Sequence, residues 1–390
     1  NVTNMSWMFR NTVFNQPIDK WDVSNVTDMS LMFYKSVFNQ SIENWDVSNV
    51  TNMSWMFRKS KFNKPIGNWD VSSVKNISYM FGFSEFNQAI GNWTTSSVTD
   101  MNSMFAGATS FNQDINSWDV GKVTDMSYLF YRNKAFNQSI VNWNVSNVTN
   151  MSWMFYESVF NFPIDKWNVS NVTDMRSMFE KSVFNQSLDN WDVSNVVKMG
   201  EMFKGSTFNS SIEKWKLNKV VDLYHMFEDS PFNQPLNDLD VSNVESLGRM
   251  FFGSNFNQQI DKWDVSNVKR MHEMFARSKF NQSIENWDVG NVTMMSSMFA
   301  ESRFDKPIDN WNVSKVTDMD RMFRQAIFNQ DISKWDVSAV TKMSYMFWNA
   351  YAFNQDLNSW DVSKVTECAN ATVNASRWTL PKPNYTNCTE

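Results

Sequence analysis

Two histidines, His225 and His272, are the only imidazoles in the 390-residue chain, so most acid–base or metal chemistry would have to start from them. They lie two repeat units apart and neither has a nearby cysteine or a regular acidic companion, which reads as two solvated surface histidines. Carboxylates offer a second route. The column Asp22, Asp46, Asp70 invites a calcium ladder, but Thr94, Asn144, Asn168, Lys216 and Asn312 interrupt it, and stacked carboxylates repel. Turn capping is the expected role. Asp and Glu are spread widely enough for a carboxylate-pair hydrolase. Yet no insertion longer than one residue could build the irregular loops such a site uses. There is no phosphate-binding glycine loop, no nucleophile elbow and no serine triad. The chain therefore reads as non-enzymatic, with no cofactor and no bound metal.

The remaining reactive types point to modification. Cys368 and Cys388 are the only cysteines. They are expected to pair, closing a loop of about twenty residues. Twenty-three Asn-X-Ser/Thr sequons occur, although many fall out of a repeated N-Q-S or N-V-T. Asn39, Asn137, Asn185 and Asn281 belong to a column expected to be interior and unmodified. Asn25, Asn49, Asn147, Asn171 and Asn291 sit at a coil corner, and Asn370, Asn374, Asn384 and Asn387 in the tail. These nine are the glycosylation candidates, and they require a secretory route, which paired cysteines also favour.

These residues are positioned by a ruler. Trp21, Trp45, Trp69, Trp93, Trp118, Trp143, Trp167, Trp191, Trp215, Leu239, Trp263, Trp287, Trp311, Trp335 and Trp360 are separated by eleven steps of 24 and three of 25. Each longer step adds its residue between two phenylalanines, as in Phe105 to Phe111. Such a period means a solenoid whose coils bury their apolar faces only against neighbours. About fifteen coils of 24–25 residues over 1–363 predict an α/β repeat solenoid some 70 Å long at roughly 4.8 Å per coil. Residues 364–390 are read as a disulfide-containing cap. The chain starts inside a repeat without Met or a signal peptide, as a mature or trimmed chain would. It has no apolar run long enough for a transmembrane segment. A net charge of −6 without a basic stripe argues against nucleic acid as a partner.

Within a coil, Ser24 and its equivalents resemble helix N-caps. Val26, Met29, Met32 and Phe33 then recur at i, i+3, i+6 and i+7, one face of a short helix. Ile18–Val23 fits a short strand with a bend. The expected unit is one strand and one helix, strands stacked in a parallel sheet; a strand on Val26–Met29 is the weaker assignment. An electron path or soft-metal channel along the Phe, Trp and Met columns is less economical than a packed core. The column Asn15, Asn39, Asn63, broken only by Asp305, reads as an interior amide ladder bonding backbone at a turn.

The block FNQSIENWDVSNVTNMSWMF at 38–57 resembles the BspA-like leucine-rich-repeat surface proteins, and the likeness runs from residue 1 to about 364. It implies a leucine-rich-repeat-like solenoid, secreted to the surface of a microbial or protist cell and associated with adhesion. It brings no catalytic residues. Leu239 and Lys216-Leu217-Asn218 mark the most degenerate coils.

The informative variation lies before the second Met of the coil. Trp7, Leu31, Trp55, Tyr79, Ser103, Tyr128 and Trp153 give way to polar residues from Ser177 to Arg321, before Tyr345, while Tyr34, Tyr131, Tyr156, Phe252 and Trp348 line an adjacent column. Trp7, Trp55, Tyr79, Tyr128, Trp153, Tyr34, Tyr131 and Tyr156 thus form an aromatic stripe. It serves either coil packing or contact with a surface protein or carbohydrate. The first partner expected is the chain itself, as a structural solenoid, with a stripe-borne adhesin as the alternative. Ser363 and Asn1 are complementary points in the repeat, so head-to-tail association would complete a coil and grow a fibre or surface layer.

Overall fold

The structure, a computed structural model, describes residues 2–389. Two compact units, Asn1–Val196 and Val197–Glu390, are each a stack of coils with one core. In unit 1, Val26, Met29, Met32, Phe33, Phe38 and Ile42 are wholly buried, with Trp45 and Val47 nearly so. Unit 2 repeats the set at Val268, Met271, Met274, Phe275, Phe280, Ile284, Trp287 and Val289. Stacked phenylalanines run through each: Phe33 lies 4.3 Å from Phe38 and 5.6 Å from Phe57. Each buried indole has a polar end to satisfy. Trp45 Nε1 donates to the Ile18 carbonyl of the preceding coil at 3.1 Å, and Trp287 Nε1 to that of Ile260 at 3.0 Å.

The expected helix is replaced by a run of turns. No α-helix occurs among the described residues, and none could cross a membrane. From Met29 to Ser36 the amides alternate between two partners. Met29, Leu31, Phe33 and Lys35 donate to carbonyls of the next coil at Asn52, Ser54, Met56 and Arg58, all at 2.9 Å. Met32, Tyr34 and Ser36 instead donate three residues back, to Met29, Leu31 and Phe33. A helix would have spent every amide inside its own coil. The turns spend half on the neighbour, which a stack of short coils needs. The geometry requires a left-handed residue at two places per coil, as at Leu31 (φ 56°) and Lys35 (φ 52°), the third position of turns of type II character.

The parallel pairing also falls on the weaker of the two assignments. Bridges link Asn4, Asp28, Asn52, Asn76, Asp100, Asp125, Asn150 and Asp174 in unit 1, and Asp222 to Glu367 in unit 2. They follow Val26, and among the described residues none falls at Ile18–Val23. Around Trp45 the tight turn Ile42–Trp45 and the indole bond occupy the groups a strand would have paired. Ser24 is no helix cap. Its amide (3.1 Å) and hydroxyl (2.6 Å) both donate to Asp22, the turn-capping role expected of the Asp column. The Ser24 hydroxyl, then its amide, hold the Asp22 carboxyl below its ordinary value, as at Asp70 and Asp192.

The asparagine column makes the expected backbone bonds. Asn15 Oδ1 accepts from the Asn39 amide at 2.9 Å and Asn39 Oδ1 from that of Asn63 at 2.9 Å. It is not interior, however: Asn15, Asn137 and Asn185 are exposed and Asn39 and Asn281 half-buried. The aliphatic and aromatic columns already fill the core, so the amides line its rim. In the 25-residue step between Phe130 and Phe136 a side chain absorbs the extra residue, whereas the Phe111 and Phe353 amides donate to the backbone carbonyls of Ala108 and Ala350. Buried Asn133 Oδ1 accepts from the amides of Ala135 (3.0 Å) and Phe136 (2.8 Å), doing the work that Ser36 Oγ does for Phe38 in a 24-residue coil.

Candidate interaction surface

The aromatic stripe stands on the left-handed backbone positions. Trp7, Trp55, Tyr79, Tyr128 and Trp153 all have φ between 55° and 66°, which turns their side chains out of the Met and Phe core. The stripe is two clusters in unit 1. In the first, Tyr34 lies 6.0 Å from Trp55, which stacks on Tyr79 at 4.3 Å. Arginines complete it. The Arg10 guanidinium is 4.3 Å from the Trp7 ring and 5.5 Å from Tyr34. That of Arg58 is 4.3 Å from Trp55, 5.3 Å from Tyr79, 5.4 Å from Phe83 and 5.9 Å from Tyr34. Trp7 remains 50% and Phe83 43% exposed. Phe83 was missed in the sequence because it sits in the second left-handed column. A Cβ at Gly107 would clash with its ring at 2.3 Å, so this glycine gives the ring its bed.

In the second cluster Tyr128 stacks on Trp153 at 5.8 Å and Tyr131 on Tyr156 at 4.8 Å. Tyr156 is buried and so is no contact residue: its neighbours cover it, and Lys181 Nζ lies 3.2 Å from its hydroxyl. Burial pushes the Tyr128 and Tyr131 hydroxyls above their ordinary value. Ser103, Ala106 and Gly107 separate the two clusters.

Unit 2 fills the same columns mostly with charge, Phe252, Tyr345 and Trp348 being its rings. Arg249 donates from Nε and Nη2 to Glu228 at 3.0 and 3.1 Å and also bonds Glu273, while its guanidinium lies 3.9 Å from the Phe252 ring. His225 is buried here, not solvated, with Nδ1 against Glu228. Its left-handed backbone (φ 58°), the edge-on Tyr224 ring and Arg249 enclose it. Burial, then Lys204 and Arg249, push it down to about 3, so the ring is neutral at pH 7. His272 is half-buried and lowered by burial. Its Nδ1 has no hydrogen-bond partner.

The corner asparagines are exposed, but most use the atom a glycan would need. Nδ2 of Asn49, Asn147, Asn171 and Asn291 donates to the preceding coil at Ser24, Gly121, Ser146 and Ser266, between 2.6 and 2.8 Å. Asn25 makes only a 3.5 Å contact to Ser24 Oγ. In the tail, Cys368 and Cys388 are bonded. The tail keeps repeat register in its backbone: Tyr345, Phe347 and Asn349 donate to Ala369, Ala371 and Val373. Asn370 (φ 54°) and Asn374 (φ 62°) take the two left-handed positions, a constraint their sequence does not announce. Trp378 stands edge-on to Phe347 (5.0 Å) and Phe353 (4.7 Å), and its indole donates to the Gln355 carbonyl at 2.8 Å. Asn387 Nδ2 bonds the Ser363 carbonyl.

Coils that share amides, stacked rings and one core define a repeat solenoid. Within that class, the chain belongs to the family described as Mycoplasma protein of unknown function, DUF285, whose model matches residues 1–85, 60–163, 82–185, 157–254, 231–325 and 276–382. No curated protein matches it. Among solved structures the chain is similar to the plant peptide hormone receptor RGFR1 in complex with RGF2, at 11% identity, 86% of this chain, 60% of that chain and a TM-score of 0.25. It is similar to the leucine-rich-repeat ectodomain of the Arabidopsis thaliana receptor kinase GASSHO1/SCHENGEN3 in complex with CASPARIAN STRIP INTEGRITY FACTOR 2, at 8% identity, 94% and 68% coverage and TM-score 0.19. A TDR receptor gives 12%, 94%, 77% and 0.27. The chain spans about 60% of the length of the first of these.

Proposed function

We propose that this chain is a non-enzymatic extracellular interaction protein, an adhesin-like solenoid whose binding face is the aromatic stripe of unit 1. The carrying observation is the exposure of Trp7 and Phe83 at the ends of a ring cluster, where the same columns of unit 2 hold ion pairs. Packing alone does not call for exposed large rings, and Trp and Tyr are the residues that anchor interfaces. Secretion is supported by the bonded Cys368–Cys388 pair, which persists in oxidising surroundings, and by the exposed sequons at Asn25, Asn374 and Asn384. The BspA-like resemblance supports a microbial or protist cell surface as its location.

Head-to-tail growth into a fibre is the rival reading. Its Asn1 side lies outside the described residues. Its Ser363 side is engaged by Asn387, and the last rings lie under Trp378. Those contacts favour a discrete binding protein. The test is binding of the purified chain to an array of extracellular-matrix proteins and of neutral and charged glycans, beside a Trp7→Ser/Trp55→Ser variant. Loss of every parental signal in the variant is expected. An unchanged profile in the folded variant, or a parent that binds nothing while electron microscopy shows filaments, overturns the reading.

A further inference from the structure

We infer that the first cluster of unit 1 takes an anionic polysaccharide, one bearing sulfate or uronate groups; the inference rests on the reading of that stripe as the binding face. Arg10, Lys35, Arg58 and Lys59 all approach its rings: Lys35 Nζ lies 5.3 Å from Tyr34 and Lys59 Nζ 5.7 Å from Phe83, beside the arginine contacts already given. Among the described residues none of these four forms an ion pair. Every other cation–ring contact on these columns, apart from Arg321 over Tyr345, involves a cation held by a carboxylate or stands beside one. Arg132 meets Glu157, Lys181 meets Glu180, and Arg249 and Arg277 meet Glu228 and Glu301. Arg324 itself bonds Glu301. Four cations without a carboxylate in a chain of net charge −6 make a local field opposite in sign to the whole.

Arg58 shows what the field lacks. Four rings surround its guanidinium, and its buried Nε has no hydrogen-bond partner. Guanidinium edges match sulfate and carboxylate geometry in pairs. Arg10 and Arg58 share one column, Lys35 and Lys59 the next, so the charges form a row along the coils. A row suits a linear polyanion better than a compact one. Sugar rings need only an occasional aromatic platform, which exposed Trp7 and Phe83 supply. Single-stranded nucleic acid needs an open ring face for successive bases, and here Trp55 and Tyr79 are closed on each other and on Arg58.

The test measures binding of the full chain to dextran sulfate, to uncharged dextran of equal length and to a single-stranded thymidine oligonucleotide. Dextran sulfate should bind selectively and loosen as salt rises from 0.1 to 1 M, where the screening length falls from about 10 to about 3 Å. Arg10→Met/Arg58→Met should weaken it at least ten-fold and the surface pair Lys35→Gln/Lys59→Gln several-fold, while Arg277→Met leaves it unchanged. The lysine variant keeps the test decisive if the arginine variant misfolds. No binding of dextran sulfate overturns the inference, as does equal binding of the oligonucleotide. Equal binding of uncharged dextran that Trp7→Ser/Trp55→Ser abolishes also overturns it, yet leaves the stripe as the binding face. Array binding that survives Trp7→Ser/Trp55→Ser removes that face itself.

Discussion

A left-handed backbone angle at a residue with a side chain costs about 1–2 kcal/mol, and Asn11 and Trp7, Lys35 and Leu31, Lys59 and Trp55 carry it coil after coil. Cross-coil amide bonds hold the angle, as from Lys59 to Gly82 at 2.9 Å. β-Branched residues tolerate it least, and none stands at either position. Gln325 (φ 56°) is an exposed example. Gln325→Gly should melt no lower than the parent, and Gln325→Val should lose about 1–2 kcal/mol, read by chemical denaturation. His225 gives a pH dependence of definite sign. Its folded pKa of about 3 lies below the ordinary histidine value of 6.5, so between those values the unfolded chain binds a proton that the folded chain refuses. Stability is therefore full above pH 6.5 and falls on acidification by up to about 1.4 kcal/mol per pH unit. Denaturation of the parent and of His225→Gln at pH 7 and pH 4.5 should show the larger loss in the parent, the remainder in the variant coming from His272, which burial also lowers. At the sequons, glycopeptide mapping of secreted material should find sugar at Asn25, Asn374 and Asn384 and little at Asn49, Asn147, Asn171 and Asn291, whose Nδ2 atoms hold the preceding coil.

Each coil is too short to bury anything alone, so its elements are columns rather than helices or strands. Phe184 is wholly buried, 4.3 Å from Phe179 and 6.2 Å from Phe160. Phe184→Ala should cost about 3–5 kcal/mol through lost burial and the cavity left in the stack. Val183 beside it is 43% exposed, and Val183→Ala should leave the melt within about 0.5 kcal/mol of the parent. Glu180, one turn before, is buried and would not serve as a surface control. The phenylalanine, tryptophan and methionine columns were all legible, because burial recurs at a fixed register. The helix was a misreading. Val23, Val26, Met29 and Met32 are spaced by three, which suits a succession of turns; Phe33 at i+7 suggested the period of a helix. The absence of β-branched residues at the two left-handed positions was the signal that separates them.

For the molecule as a whole, the ends matter as much as the repeats, since an open coil exposes rings and unpaired backbone. The tail closes unit 2 through Trp378, Asn387 and the carbonyl of Pro381, which accepts from the Leu357 amide at 2.9 Å. The Cys368–Cys388 bond, spanning 20 residues, should add about 3 kcal/mol by restricting the unfolded tail. Limited proteolysis of Cys368→Ala/Cys388→Ala should therefore cut within 369–387 sooner than in the parent, with the coils before it intact. Equal cutting rates would show that Trp378 packing alone holds the cap.

The sequence by itself determined the period, the buried columns, the cysteine pair and the aromatic stripe, because each is a matter of residue type at a recurring position. Only tertiary structure decided where the amides went. A backbone N–H has no side-chain signature, and its choice between its own turn and the next coil depends on a neighbour 23 residues away, as Met29 on Asn52. For the same reason the sequence could not tell Tyr156, covered by its neighbours, from Trp7, left half in water. Nor could it place an unpaired Arg58 among four rings while giving Arg249 two carboxylates. Burial and ion pairing are set by what the adjoining coils bring alongside, and that is a property of the stack.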